Sequence, residues 1–405
     1  MKACVFTLGC KLNEVESASL VRGLSDRGYE VTTALSYADL YILNTCAVTG
    51  EAERKSRQAV ARMRKFNPNA KIVVCGCASR HAPEAFLKDG VTLVCGTAKK
   101  GDILNKLEER GFFLEEEQAF CEMPPPARVG TRAFLRVQDG CNRFCSYCII
   151  PYLRGRSRSR SLASILEEAR ACDAKEIVLT GVDLSSYRDG DNDLCALVRA
   201  LGGLPPRFRL GSLEAGVVTD GLLESMKEAG NFVPHFHLSM QSGSTAVLKA
   251  MNRHYTREEF LRACEKIYAA FPDAAVTTDI IVGFPTETEE DFLQSLTAVD
   301  EAGFARVHAF PFSAREGTNA AKLKDLPAQV KRERMARMSD CAKAAQERYL
   351  QKFLGKDLAV LFEDDGGYSE NYIRVYADGA REGRLCRVRL IKSYRDGAFG
   401  EIIEN

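Results

Sequence analysis

Three short apolar runs near the start of the chain each stop on a cysteine: ACVFTLGC at Cys10, DLYILNTC at Cys46 and KIVVCGC at Cys77. Between them lie the amphipathic stretch NEVESASLVRGLSDRGY and the charged stretch EAERKSRQAVARMRKF. Apolar runs alternating with helical stretches predict a parallel sheet flanked by helices. The carboxyl ends of such strands share one edge, where open α/β sheets bind ligands. Three thiols from distant parts of the chain are thereby brought to one edge. Cysteine is also a small buried hydrophobe, and Cys4, Cys75 and Cys95 in or near the same runs fit that description. Three thiols at equivalent positions, each beside glycine or Asn-Thr, point instead to a metal cluster. Cys75 competes with Cys77 for the third place. Cys77 follows Gly76 and lies further into the edge loop, yet spacing alone leaves both open.

The cysteine count matters because of where it occurs. The chain has 405 residues, 15 of them cysteine, and is 45% hydrophobic and 27% charged. It runs from Met1-Lys2 directly into a strand with no signal-peptide pattern, and no apolar run approaches the roughly 18 residues of a membrane span. A cytoplasmic protein with no membrane partner is expected. In that compartment thiols stay reduced, so these cysteines bind metal, catalyse or pack rather than form a disulfide framework. The formal net charge of +1 neither favours nor excludes a nucleic-acid partner.

A second thiol group is tighter. In QDGCNRFCSYCIIPYLRGRSRSR, Cys141, Cys145 and Cys148 form a C-x3-C-x2-C loop. Three thiolates there can hold three irons of a [4Fe–4S] cube and leave the fourth without a protein ligand. Structural zinc takes four protein ligands, a ferredoxin cluster takes four cysteines, and no fourth Cys or His lies nearby. With Tyr147 before the last cysteine, the loop resembles that of the radical S-adenosylmethionine enzymes. The resemblance implies that the open iron chelates the amino and carboxylate groups of S-adenosyl-L-methionine, whose reductive cleavage gives methionine and a 5′-deoxyadenosyl radical.

Downstream, the helical stretch LASILEEARAC precedes EIVLTGVDLSSY, RFRLGSLEAG, HFHLSMQSGS, AAVTTDIIVGFPTET and ARVHAFPFS, which predict the strands of an open or closed (β/α) barrel with its site at the strand C-termini. By resemblance, Tyr147, Gly181, Val182, Asp183, Ser212, Glu214 and Gln241 line the S-adenosylmethionine site; from the residues alone, each is equally an ordinary turn or cap residue. The long stretch QVKRERMARMSDCAKAAQERYLQKFLGK predicts a helix with Met335, Met338, Ala342 and Ala345 on its apolar side. The last ~50 residues alternate short strands with Gly/Asp turns, the pattern of a small β-barrel.

Basic residues cluster in two places. Arg154, Arg156, Arg158 and Arg160 follow the thiol loop directly. Over 355–405 ten acidic residues outnumber eight basic ones, yet alternation places Arg387 and Arg389 on one strand face, where they could meet phosphates. Tyr368, Tyr372 and Tyr376 could supply stacking surfaces. Charge runs are usually solvated faces, so RNA contact at these residues is an expectation that only their placement can develop.

Taken whole, the chain resembles the methylthiotransferases, through TLGCKLNEVES, NTCAVT, VVCGCASR, DGCNRFCSYCIIP, LTGVDLSSY, MQSGS, DIIVGFPTET and FSAREGTNAA. That resemblance implies an N-terminal domain over 1–118, a linker over 119–130, a radical S-adenosylmethionine domain over 131–354 and a TRAM domain over 355–405. It selects Cys77 over Cys75 and implies two [4Fe–4S] clusters, one on Cys10, Cys46 and Cys77 and one on Cys141, Cys145 and Cys148. S-adenosyl-L-methionine serves as both radical source and methyl donor. The implied partners are the tRNA anticodon arm, a sulfur donor and an electron donor such as a flavodoxin or ferredoxin. GYSENYIRV further resembles the TRAM segment of enzymes acting on threonylcarbamoyladenosine in tRNA, at position 37 beside the anticodon. Alternative substrates are isopentenyladenosine in tRNA and an aspartate of a ribosomal protein; the alternative outside enzymes is an iron–sulfur RNA-binding scaffold. No Ser/His/Asp or paired-carboxylate constellation is evident, and no side chain is expected to act as nucleophile or acid/base.

Overall fold

A computed structural model describes residues 1–114, 119–126 and 131–404. The expected domain bounds at 118 and 130, and part of the 119–130 linker, lie outside the described residues.

The N-terminal unit is a six-stranded, wholly parallel sheet. Across it run Glu30–Thr32, Lys2–Thr7, Leu40–Thr45, Lys71–Gly76, Leu93–Cys95 and Gly111–Phe113. Leu40–Thr45 is buried on both faces, and its side chains alternate between two cores. Tyr41 and Leu43 pack with Val60 and Met63 of the helix Gly50–Phe66. Leu40 and Ile42 pack with Leu20 and Leu24 of the helix Lys11–Ser25. The Thr49 side chain starts Gly50–Phe66 by accepting from the Ala52 amide. The stretch KGDILNKLEERG, expected as a helix, forms only the 3-10 turn Lys100–Asn105. There the Lys100 side chain is drawn inward to Glu16, and the chain then joins the sheet edge at Gly111–Phe113.

The central unit is an open barrel of parallel strands. Arg132–Arg136 pairs with Glu176–Thr180, which pairs with Arg207–Leu210. Beyond Gly211 the series continues through Ser212–Leu213, His235–Leu238, Ala275–Val282 and Arg306–Pro311. Alternation sends Phe208, Leu210, Phe236, Leu238, Val276 and Ile280 outward into one apolar core under the helices. Their neighbours Arg209, His235, His237, Thr277 and Asp279 point into the barrel. The helix Ala328–Gln351 covers the outer layer with Met338 and Ala345 buried and Met335 and Ala342 partly buried, the side expected from spacing.

The last unit is a closed five-stranded barrel of Asp357–Glu363, Gly366–Ser369, Arg374–Tyr376, Gly397–Glu404 and Leu385–Tyr394. It seats on the end of the central barrel where the strands begin. There one buried carboxylate, Glu176, pairs with Arg132 at 2.7 Å and accepts from Arg207 at 2.6 Å and Arg209 at 3.1 Å. Arg207 also donates to the carbonyls of Ala359 and Tyr368, and Arg209 to those of Ser369 and Glu370. Tyr372 stacks on His235 at 4.1 Å between ring centres and on Tyr368 at 5.0 Å. Tyr368 and Tyr372 are thus engaged within the protein, a correction to their expected role as stacking surfaces for RNA. Arginine and histidine presented by the strand starts recruit both rings.

Burial alone would raise the Glu176 carboxyl, but Arg209, Arg207 and Arg132 outweigh it and hold it down at about 2. Arg207 is lowered as well, but at the expense of its charged form, because burial and the like charges of Arg209 and Arg132 outweigh the pull of Glu176. The depressed Glu176 contributes stability that is present above the unfolded carboxylate value of about 4.3 and is lost as pH falls toward 2. The contribution is at most about 3 kcal/mol, less what the crowding of Arg207 takes back. Glu176→Gln is expected to lower the urea midpoint at pH 7, with the gap from wild type closing between about pH 5 and pH 2. A gap that stays constant over that range contradicts the assignment.

Candidate active site

The two thiol groups lie on facing edges of the first two units. A β-carbon added to Gly9 would lie 2.9 Å from Cys46 Cβ, so the Cys10 loop and the Cys46 loop touch. Asn13 ties them, its side chain donating to the carbonyls of Leu8 at 3.0 Å and Thr45 at 2.9 Å. Gly76 separates the two candidates on the third loop. Its φ of +107° and the 2.5 Å that a β-carbon would leave to the Thr45 carbonyl restrict the position to glycine. The backbone turns there: Cys75 stays in the core with Leu20, Leu93 and Cys95, whereas Cys77 opens the helix Cys77–His81. That helix packs against Ile149 and Leu153, which flank the other thiol loop.

Across this contact runs a buried charge network. Arg154 donates to Glu16 and Asp139 at 2.9 and 3.0 Å and to Asn13 at 2.9 Å, and reaches the Cys77 thiol. Lys100 pairs with Glu16 on the other side and donates to Asn44 at 3.0 Å. Arg136 and Arg158 add to Asp139 at 3.7 and 3.4 Å. Four cations thus surround two carboxylates beside Cys10, Cys46 and Cys77, an electropositive setting suited to a thiolate-ligated cluster. Burial would raise the Glu16 carboxyl; Arg154 and Lys100 reverse that and hold it far below its usual range.

The second loop is pinned on both sides. Gly140, at φ +70°, lies so near Arg156 that a β-carbon would overlap the Arg156 carbonyl. Cys141 N donates to the Gly155 carbonyl at 3.1 Å, Ser146 N to Met251 O at 2.9 Å, and the Asn252 side chain to the carbonyls of Arg143 and Phe144. Arg143 N points at Cys141 Sγ, 3.4 Å away. Burial pushes the Cys141 thiol up to about 11 and Cys148 to about 12; Cys46 and Cys77 also move up by burial. As thiols these groups are inert, and metal binding is what makes thiolates of them. Among the described residues no three Cys, His, Asp or Glu side chains close on a single metal ion. A cube fits better, since it attaches its thiolates at separate iron corners.

Beside Cys141, Cys145 and Cys148 the strand ends supply alternating charges. Arg143 pairs with Asp183 at 2.8 Å, and Arg253 pairs with Glu214 at 2.6 Å and lies 3.5 Å from Cys145 Sγ. Two carboxylates and two guanidiniums match a zwitterionic amino acid group. Gln138 accepts from Asp183 N at 2.8 Å, and a β-carbon on Gly181 would run into Gln138. Val182 stands between Gly181 and Asp183 at this strand end. Gln241 sits at φ +65°, bridged to Ile280, its neighbour strand. Ser212 is exposed, and Tyr147 packs near Met251 and Phe284. Sequence reasoning missed Arg143, Arg253 and Tyr255, whose hydroxyl accepts from Arg253 at 3.0 Å. Arg143 lies inside the thiol motif itself, while Arg253 and Tyr255 follow MQSGS with no pattern to mark them.

Of the basic run after the loop, Arg154, Arg158 and Arg160 are buried. Arg160 is committed to Glu122 and Glu168. Internal carboxylates hold these three, a correction to the expectation that the whole run faces RNA. Arg156 alone is exposed, lying over the Phe144 ring at 4.6 Å beside the exposed Tyr152. On the C-terminal barrel Arg387 and Arg389 are both exposed on one face, with Arg389 also bonded to Asp357 at 2.7 Å.

The model for the Radical SAM superfamily matches residues 135–299, and the one described as Uncharacterized protein family UPF0004 matches residues 2–96. Threonylcarbamoyladenosine tRNA methylthiotransferase MtaB of Bacillus subtilis is 34% identical over 438 residues, spanning 98% of this chain and 96% of that protein. The chain belongs to the methylthiotransferase family of radical S-adenosylmethionine enzymes. The MtaB of Chlamydia pneumoniae is 38% identical, over 98% of this chain and 97% of that protein. The tRNA-2-methylthio-N(6)-dimethylallyladenosine synthase of Oceanobacillus iheyensis is 34% identical, over all of this chain and 84% of that protein. Among solved structures, the radical S-adenosylmethionine methyltransferase TsrM of Kitasatospora setae aligns with TM-score 0.57 at 14% identity, covering 76% of this chain and 74% of its own; it shares the fold. As a methylthiotransferase the chain carries two [4Fe–4S] clusters and uses S-adenosyl-L-methionine. No helix among the described residues is long and apolar enough to cross a membrane.

Removing Arg154 takes the nearest guanidinium from both Asp139 and Glu16 in the interior. Arg154→Ala is expected to cost about 3–5 kcal/mol, seen as a lower denaturation midpoint of the metal-free methylthiotransferase with unchanged far-ultraviolet circular dichroism. A change below about 1 kcal/mol, the range of exposed pairs, rules out the network as a structural tie.

Proposed function

We propose that this methylthiotransferase converts N6-threonylcarbamoyladenosine at position 37 of tRNA, beside the anticodon, into its 2-methylthio derivative, and that it works in the cytoplasm. The observation that carries the reading is the pairing of two thiol triplets across one buried arginine, Arg154. The relatives named for threonylcarbamoyladenosine support the substrate.

Cys10, Cys46 and Cys77 hold the auxiliary cluster in a domain ending near 118, and Cys141, Cys145 and Cys148 hold the second in the domain to about 354. The C2–H of adenine is far too weakly acidic for a side-chain base tuned by a few pKa units. When bound, the clusters and S-adenosyl-L-methionine supply the electron, carbon-radical, sulfur and methyl chemistry that replaces proton transfer. The protein positions them. Asp183 and Glu214 face the amino group of S-adenosyl-L-methionine and Arg143 and Arg253 its carboxylate, with Tyr147, Gly181, Val182, Ser212 and Gln241 around it. Arg156, Arg387 and Arg389 meet tRNA phosphates. A sulfur donor and an electron donor of the flavodoxin or ferredoxin kind complete the cycle.

Iron and sulfide counts test the ligand sets. Cys141/Cys145/Cys148→Ala is expected to keep about half the wild-type iron and to form no 5′-deoxyadenosine. Cys10/Cys46/Cys77→Ala should also keep about half, yet still cleave S-adenosyl-L-methionine, and Cys75→Ala should keep all of it. Complete iron loss in either triple variant defeats the two-cluster assignment.

The dimethylallyladenosine synthase at 34% identity over the whole chain keeps a second substrate in play. Nucleoside mass spectrometry on tRNA from cells with and without the protein separates the two. The proposal requires loss of the methylthio-threonylcarbamoyl nucleoside; loss of the dimethylallyl product instead reverses the choice. Arg387→Glu/Arg389→Glu should raise KM for tRNA roughly tenfold or more at low salt and flatten its salt dependence.

A further inference from the structure

The inside of the open barrel, between the two thiol groups, holds side chains that neither cluster nor S-adenosylmethionine accounts for. Lys11, the residue after Cys10, projects from the N-terminal unit over the Phe134 ring at 5.7 Å. Phe134 lies on the first barrel strand opposite Val178. The charges of Arg132 and Arg209, at the barrel floor, act on the Lys11 ammonium, as do Glu14, one turn along its own helix, and Tyr368. Lys11 is exposed to solvent although these groups lie around it. Among the described residues it makes no ion pair.

At the barrel floor Glu176 faces Arg132, Arg207 and Arg209, and Glu363 reaches Arg132 at 3.7 Å. On the far wall Asp279 is matched to His237 at 3.3 Å, and His237 also bonds Thr277 at 3.0 Å. His308 lies 6.3 Å from His237 between ring centres. An ammonium in no ion pair, open to solvent beside Cys10 and lying over Phe134 of the barrel's first strand, is free to take an anionic ligand. The strand ends that carry Asp183 and Glu214 lie above, and the Cys10 loop lies beside. A base whose C2 is presented between the two thiol groups would place its N6 substituent in this space.

We propose that Lys11 binds the carboxylate of the threonylcarbamoyl group, making it the residue that selects an acidic N6 substituent over an uncharged one. The inference rests on the substrate assigned under the proposed function. A dimethylallyl group offers Lys11 no anion, so the discrimination comes from the affinity that the carboxylate gains.

The test uses the reconstituted holoprotein and three anticodon stem–loops bearing the threonylcarbamoyl group, its carboxamide in place of the carboxylate, or dimethylallyl. Wild type is expected to lose at least tenfold in kcat/KM from acid to carboxamide. Lys11→Gln should lose at least tenfold on the acid through KM, bind that stem–loop correspondingly more weakly without reductant, and treat acid and carboxamide alike. Its iron content and KM for S-adenosyl-L-methionine should stay at wild-type values, and Lys11→Arg should recover most of the affinity. Equal use of acid and carboxamide by wild type overturns the inference whatever the variants do, as does a Lys11→Gln defect in KM for S-adenosyl-L-methionine alone. If Lys11→Gln loses iron, the wild-type comparison decides. Wild type acting only on the dimethylallyl stem–loop is a separate result: it removes the substrate assignment itself.

Discussion

The buried contact between Glu16 and Arg154 is what the rest of the arrangement depends on. Glu16 comes from the first helix of the N-terminal sheet, and Arg154 from the turn that follows the second thiol loop. Each is nearly without solvent access, so neither charge is tolerable unless the two units meet in this register. Asn13, Asn44 and Lys100 extend the contact to the loops that carry Cys10 and Cys46, and Arg154 itself reaches Cys77. One guanidinium therefore fixes three loops of one thiol group against the loop of the other. Chemistry that must carry a group from one metal cluster to a base activated at another needs that separation held constant.

The far end of the barrel uses the same device with a different balance. Glu176 gathers Arg132, Arg207 and Arg209, and two of those arginines cap carbonyls of the C-terminal barrel. The small barrel thereby closes the floor of the central barrel while presenting Arg387 and Arg389 outward. Lys11 reaches over the first barrel strand from the side.

Much of this was legible in the chain. Short apolar runs ending in cysteine and alternating with helical stretches specified a parallel sheet with thiols on one edge, and Leu40–Thr45 and Lys71–Gly76 lie where those runs lie. The long helix ahead of the C-terminal barrel buries Met338 and Ala345, the side its spacing indicated. The misreadings share a cause. Arg154, Arg158 and Arg160 look like a solvated basic run because a sequence shows charge without showing partners. Glu16 lies on another unit, Glu122 lies 38 residues before Arg160, and Asp139 lies on the far side of the thiol loop. Tyr368 and Tyr372 similarly look free until Arg132 and His235 are placed beneath them.

The sequence by itself determined the types of element, the loop of Cys141, Cys145 and Cys148, and the strand-end positions of Cys10, Cys46 and Cys77, because local periodicity and turn chemistry are properties of neighbouring residues. Only the tertiary structure decided which charges are spent inside and which remain available. Ion pairs form between residues many tens of positions apart, and their worth depends on burial, which no local pattern encodes. The same basic residue is therefore a structural tie at Arg154, an outward contact at Arg156 and an unpartnered cation at Lys11.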